Sequence, residues 1–241
     1  MEGNIVLLFA VILCVANSST VPFINKCKVD DSTCLVKSTQ LAIPPFAAGI
    51  SELGLNSLDP LVIKRIDASS GSLKLILNDV VIKGLKDCVP KKIEFRDIKS
   101  PIPGKMYIKL ACRTTLDGQY DMKGQLIVPI EGKGKVSVSI SEVVAKVECE
   151  LSEKTGKDDK LYLNIKSCSS KYDFKPNSRV HFDNLFPDNK ALAQTTSEVI
   201  ETNSDAIVLE LGPPILETTL NLMIKNVKKF FDKVPVEDLI L

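Results

Sequence analysis

Cysteine is the residue type in this chain whose spacing carries the clearest chemistry. Cys27 and Cys34 have six residues between them and follow shortly after an apolar leader. The spacing predicts a short disulfide loop, and so small a loop traps little chain entropy. Its expected role is to fix how the chain enters the first helix. Zinc would require two more Cys or His ligands grouped nearby, and the single histidine, His181, lies far along the chain. Cys149 and Cys168 stand equidistant from the Gly156–Asp159 turn and are candidates to pair, but alternation puts Cys168 out of phase with Leu163 and Ile165. A bulge near Ser167 would reconcile the two. Cys88 and Cys112 flank the Ser100–Pro101 region with a similar conflict. Buried thiols or a cross pairing are open alternatives.

Catalytic chemistry finds little support. A Gly-x-Ser-x-Gly elbow is missing, and a Ser-His-Asp arrangement would have to rely on His181, in a polar stretch beside Phe182, Asp183 and Asn184 that reads as a solvated lead-in to a helix. Asp30-Asp31 and Asp158-Asp159 read as cap and turn residues. No metal site, no cofactor and no enzymatic activity are therefore expected, with hydrolysis of a lipid ester as the remote alternative.

Residues 5–16 form a continuous apolar run of about a dozen residues, the size of a signal-peptide core and too short to span a bilayer. Cys14 and Ala16 suit the −3 and −1 positions of a cleavage site, which predicts a signal peptide over 1–16 and a single domain over 17–241. Cleavage after Ser18 is the second choice. Removal of Cys14 leaves six cysteines, an even number that suits an oxidising compartment, so the protein is expected to be secreted. No later segment reads as a membrane anchor. The net charge is +1, and no long basic block is present, so nucleic acid is excluded as a partner. Hydrophobic residues reach 44% while aromatics are only 5%, which implies an interior built from Leu, Ile and Val.

The elements that position these residues follow from periodicity. Asp31 or Ser32 caps a helix carrying Leu35, Leu41, Ala42, Phe46, Ile50 and Leu53, which Pro44 and Pro45 are expected to break into two short pieces. The pattern then alternates. Strands are predicted around Leu73–Leu77, Ile93–Phe95, Met106–Leu110, Leu126–Val128, Val136–Ile140 and Leu161–Ile165. Pro101–Gly104, Asp117-Gly118, Glu131–Gly134 and Thr155–Asp159 read as the breaks between them. Past Pro187 the period is helical: Ile207, Leu211, Leu216, Leu220, Ile224, Val227 and Phe231 recur along one face, with Pro213-Pro214 expected to kink or restart the helix. The predicted fold is α+β, a strongly curved antiparallel sheet wrapped round a long C-terminal helix, with a short kinked N-terminal helix.

The chain resembles the insect juvenile-hormone-binding and takeout family. The matching pieces, in order, are Cys27 to Cys34 followed by Leu35; Gly49-Ile50 and Leu53 leading to Leu58-Asp59-Pro60-Leu61; Gly118 and Tyr120 through Gly124 to Pro129-Ile130 and Gly132 with Gly134; Phe182 to Phe186; and Phe231 with Val234-Pro235. Each is common alone, and the ordered set is specific. The resemblance implies the tubular fold shared with bactericidal/permeability-increasing lipid-binding domains. It also implies a tunnel between helix and sheet holding an elongated apolar ligand such as juvenile hormone, another terpenoid or a fatty acid, in haemolymph or a similar fluid.

Tunnel candidates are Phe46, Ile50, Leu220, Met223, Ile224 and Val227, with Tyr120 as a polar contact at one end; each of them also fits plain core packing. A monomer is expected, with any receptor unknown. The rival function is membrane-surface lipid transfer or binding of a pathogen lipid. In that reading Lys225, Lys228, Lys229 and Lys233 touch an anionic surface, a weak contact that salt would screen.

Overall fold

The structure is a computed structural model that describes residues 21–100 and 102–241. The expected leader and its cleavage sites lie outside the described residues. Helix α1 (Ser32–Ala48) is followed by a 3₁₀ turn (Ser51–Leu53), β1 (Leu61–Asp67), β2 (Lys74–Lys83), a second 3₁₀ turn (Leu85–Asp87), β3 (Val89–Ser100), β4 (Ile102–Gln125), β5 (Pro129–Thr155), β6 (Leu161–Phe174) and β7 (Arg179–Phe182). Helices α2 (Lys190–Thr202) and α3 (Ser204–Phe231) complete the chain with a last 3₁₀ turn (Val236–Asp238). The strands form one antiparallel sheet in the order β1-β2-β4-β5-β6, with β3 on β4 and β7 on β5. The α+β fold and the long C-terminal helix over a curved sheet are those read from the sequence.

Several details differ from that reading. Leu126 and Val128 are in the turn between β4 and β5, not on a strand of their own. Asp117-Gly118 and Glu131–Gly134 are inside those two strands, which run 24 and 27 residues. Glycine here marks close approach of another chain segment rather than a turn. A side chain on Gly134 would sit 2.8 Å from the Asp183 carbonyl oxygen, and one on Gly132 would meet the Tyr120 hydroxyl and the backbone of Asn184 and Leu185. Gly134→Ala is expected to destabilise the fold by about 1–3 kcal/mol, measured as a lowered denaturation midpoint. Strands β1 and β7 were not anticipated, because burial changes phase between Ile63 and Ile66 in the first and the second is only four residues long.

The prolines do not divide their helices. Pro44 and Pro45 lie within a continuous 17-residue α1, and Pro213 and Pro214 within a continuous 28-residue α3. Each proline removes one backbone donor. Tertiary packing compensates: Ile207, Val208 and Leu211 before the pair and Leu220 after it are all buried. At the start of α1, the Asp31 carboxylate accepts the Cys34 N–H at 2.9 Å, the expected cap.

All six described cysteines are paired, as Cys27–Cys34, Cys88–Cys112 and Cys149–Cys168. Two bulges resolve the phase conflicts. In β6, Glu150 faces Ser167 and Leu151 faces Ile165, leaving Lys166 as the extra residue, so Cys149 and Cys168 stand directly opposite. In β3 the extra residue is Lys91, between Pro90 opposite Leu110 and Lys92 opposite Lys109. That shift returns Cys88 to the face of Ile93 and Phe95.

Candidate functional site

Two apolar cavities lie in line along α3. In the first, α3 contributes Ile207, Leu211, Ile215 and Leu220, and the sheet answers with Leu77, Leu116, Val138 and Phe182. The second is closed by α1 through Leu35, Ile43 and Phe46, by β3 and β4 through Ile93, Met106 and Ile108, and by Val227 and Phe230 of α3. Leu85, Leu110 and Met223 line both. Among the described residues, no acid, base or other charged side chain lines either cavity. From Ile207 to Phe231 the lined stretch of α3 spans ~36 Å at the rise of a regular helix.

Of the residues singled out in the sequence, Leu220 and Met223 line the first cavity and Phe46, Met223 and Val227 the second. Ile50 packs in the hydrophobic cluster around Phe230 and Phe231, outside the second cavity's wall. Ile224 is half-buried and outside both walls. Tyr120, expected as a polar ligand contact, is outside both walls. It is 1% exposed, its ring lies edge-on to Phe182, and its hydroxyl donates to the Asp183 carbonyl at 2.5 Å. Burial, and then the Asp183 carboxylate, push its ionisation well above the usual phenol range, so it stays a neutral donor. Tyr120→Phe is expected to cost about 1–2 kcal/mol in unfolding free energy and to leave ligand affinity unchanged, checked by denaturant titration beside a binding curve.

The sheet wall was legible in sequence only as strands. Leu77, Leu110, Val136, Val138 and Ile140 were each assigned to a strand face, but alternation does not distinguish a face that lines a cavity from one that packs solidly.

His181 is exposed on β7, not beside the start of a helix. Its ring nitrogens lie 3.0 Å from an Asp183 carboxylate oxygen and 3.2 Å from one of Glu201. Both therefore face carboxylates rather than a nucleophilic hydroxyl. Lys225, Lys228 and Lys233 are exposed, whereas Lys229 donates to the Gly54 carbonyl at 3.0 Å. By length and composition α3 is apolar enough to cross a bilayer, contrary to the reading that no later segment is. In this fold its apolar stripe walls the cavities instead.

The profile of a family described as haemolymph juvenile hormone binding protein matches residues 6–241. The chain belongs to this family. It is similar to the circadian clock-controlled protein daywake of Drosophila melanogaster and of Drosophila yakuba, 25% identical over 230 residues in each, covering 89% of this chain and 86% of the relative. A protein from Schistocerca gregaria named for beta-carotene binding is 26% identical over 140 residues, covering 55% of this chain and 53% of that one. The crystal structure of Takeout 1 from Epiphyas postvittana superposes with a TM-score of 0.84 at 25% identity, covering 90% of this chain and 99% of that one. Two of the stretches that carry the resemblance to this juvenile hormone binding protein family pack against each other. Phe182 to Phe186 is the segment that Gly132, Gly134 and Tyr120 hold, and the Asn184 side chain donates to the Lys133 carbonyl at 2.8 Å.

Proposed function

We propose that this protein is a secreted, non-catalytic carrier of one elongated apolar molecule. The observation that carries the reading is the pair of aligned cavities walled by aliphatic and phenylalanine side chains, with Thr114 and Thr219 in the first and Asn25, Ser38 and Thr39 in the second, and with no titratable group among the described residues. Burial alone supplies the driving force, about 2.5 kcal/mol for each 100 Å² of apolar surface removed from water. General acid or base catalysis requires a proton-transferring side chain within reach of the ligand, and these walls hold none. The family takes its description from juvenile hormone and the locust relative its name from beta-carotene. Both chemistries are long and terpenoid, and the acyl chain of a fatty acid, with its carboxylate left at a mouth, suits the same apolar wall. Three disulfides suit an oxidising extracellular fluid, in keeping with the family's haemolymph description.

The test is native mass spectrometry of protein secreted from insect cells, followed by solvent extraction of what it retained. One apolar molecule per chain is expected, host lipid included. A chain that emerges empty and also takes up neither added juvenile hormone nor added fatty acid overturns the proposal.

A further inference from the structure

We infer that Met223 is an adjustable partition between the two cavities, and that its position decides whether the protein accepts one long ligand or separate short ones. The inference deepens the carrier reading and rests on it. Among the described residues, only Leu85, Leu110 and Met223 belong to both walls. On α3, Thr219 and Leu220 face the first cavity and Val227 and Phe230 the second, so Met223 stands at the boundary, about one turn from each side.

The opposing wall is held in place. Leu85 is buried at the start of its 3₁₀ turn. The Asp59 carboxylate accepts the backbone N–H groups of Gly84 and Lys86 at 3.1 and 2.9 Å, fixing that turn from both sides. The Cys88–Cys112 disulfide crosses the same boundary, with Cys112 in the wall of the first cavity and Cys88 in that of the second. Leu110 sits within the paired part of β4, opposite Pro90 on one side and Ala145 on the other. Met223 alone among the three combines an unbranched side chain, three rotatable bonds and a half-buried position. A rotamer change there joins the cavities without moving backbone. The first cavity by itself, from Ile207 to Met223, spans ~24 Å of helix, and joining it to the second extends the run to ~36 Å.

The experiment is a displacement titration of the full mature chain with saturated fatty acids of graded length, run on wild type, Met223→Ala, Met223→Leu and Met223→Phe, with stoichiometry read by native mass spectrometry. Met223→Ala is expected to favour the longest acids over the shortest by about tenfold more than wild type. Met223→Phe is expected to move that ratio about tenfold the other way and to make two short acids per chain the dominant species. Met223→Leu, close in volume and stiffer, is expected to shift it in the Phe direction by less, and it serves if the Ala variant fails to fold. Folded variants whose length preference and stoichiometry match wild type overturn the partition while leaving the carrier reading intact. Failure of wild type to bind any acid or added terpenoid overturns both.

Discussion

Replacing Leu220 by Trp is expected to weaken binding of an elongated apolar ligand at least tenfold while the protein stays folded. Leu220 is 5% exposed and projects from the middle of α3 into the first cavity. An indole there takes up space that a ligand would otherwise fill, and part of the overpacking cost of about 1–3 kcal/mol is relieved because the new ring enters a cavity rather than solid core. Ile224→Trp is the matched control. It lies about one turn away on the same helix, outside both walls, and its affinity is expected to stay within twofold of wild type. A fluorescence displacement titration with thermal melts of both variants decides the matter. Equal affinity in wild type and a folded Leu220→Trp variant would remove the first cavity from the binding site. Equal losses at the two positions would point to general damage to α3.

The contrast between Leu220 and Ile224 also shows how far the sequence reached. Both fall on the apolar stripe at helical spacing, and the stripe correctly gave a long helix laid on the sheet. Periodicity identifies an apolar stripe on a helix about 100° wide, but the cavity wall takes only part of that arc. Ile50 shows the same limit at the other end of the site, where it fills the cluster beside the second cavity instead of lining it. Tyr120 shows a different limit. A tyrosine on a strand carries an apolar ring and a polar tip, and its partner is a backbone carbonyl 63 residues away on a segment read as polar lead-in. Local pattern understates the strand lengths because Gly118, Gly132 and Gly134 have the composition of breaks yet lie inside β4 and β5. The cause of glycine there, the close approach of Asn78 and Val80 to Gly118 and of residues 183–185 to Gly132 and Gly134, lies in long-range contacts that local pattern does not hold. The cysteines fell between these cases. Equal distance from the turns named the right partners, and the bulges at Lys91 and Lys166 that make the pairs possible carry no composition signal of their own.

The Cys88–Cys112 disulfide is where stability and binding are expected to fall together. Its two residues are 24 apart in sequence, and opening a loop of that length restores to the unfolded chain an entropy worth about 3 kcal/mol. For a domain of this size that corresponds to a drop of roughly 6–12 °C in Tm for the Cys88→Ser, Cys112→Ser double variant. Cys27–Cys34 spans only seven residues, so its removal is expected to cost roughly 1 kcal/mol less. The binding consequence separates the two pairs more sharply. Cys27–Cys34 sits where the chain enters α1, outside both cavity walls, whereas Cys88 and Cys112 form part of them and anchor the turn that carries Leu85. Ligand affinity is therefore expected to drop several-fold in the Cys88/Cys112 variant, measured well below its Tm, and to hold in the Cys27/Cys34 variant. Unchanged affinity in both would mean that the Asp59 hydrogen bonds to Gly84 and Lys86 are enough to keep the Leu85 wall in place. A loss confined to the Cys27/Cys34 variant would instead make α1, through Leu35, Ile43 and Phe46, the wall whose position controls entry.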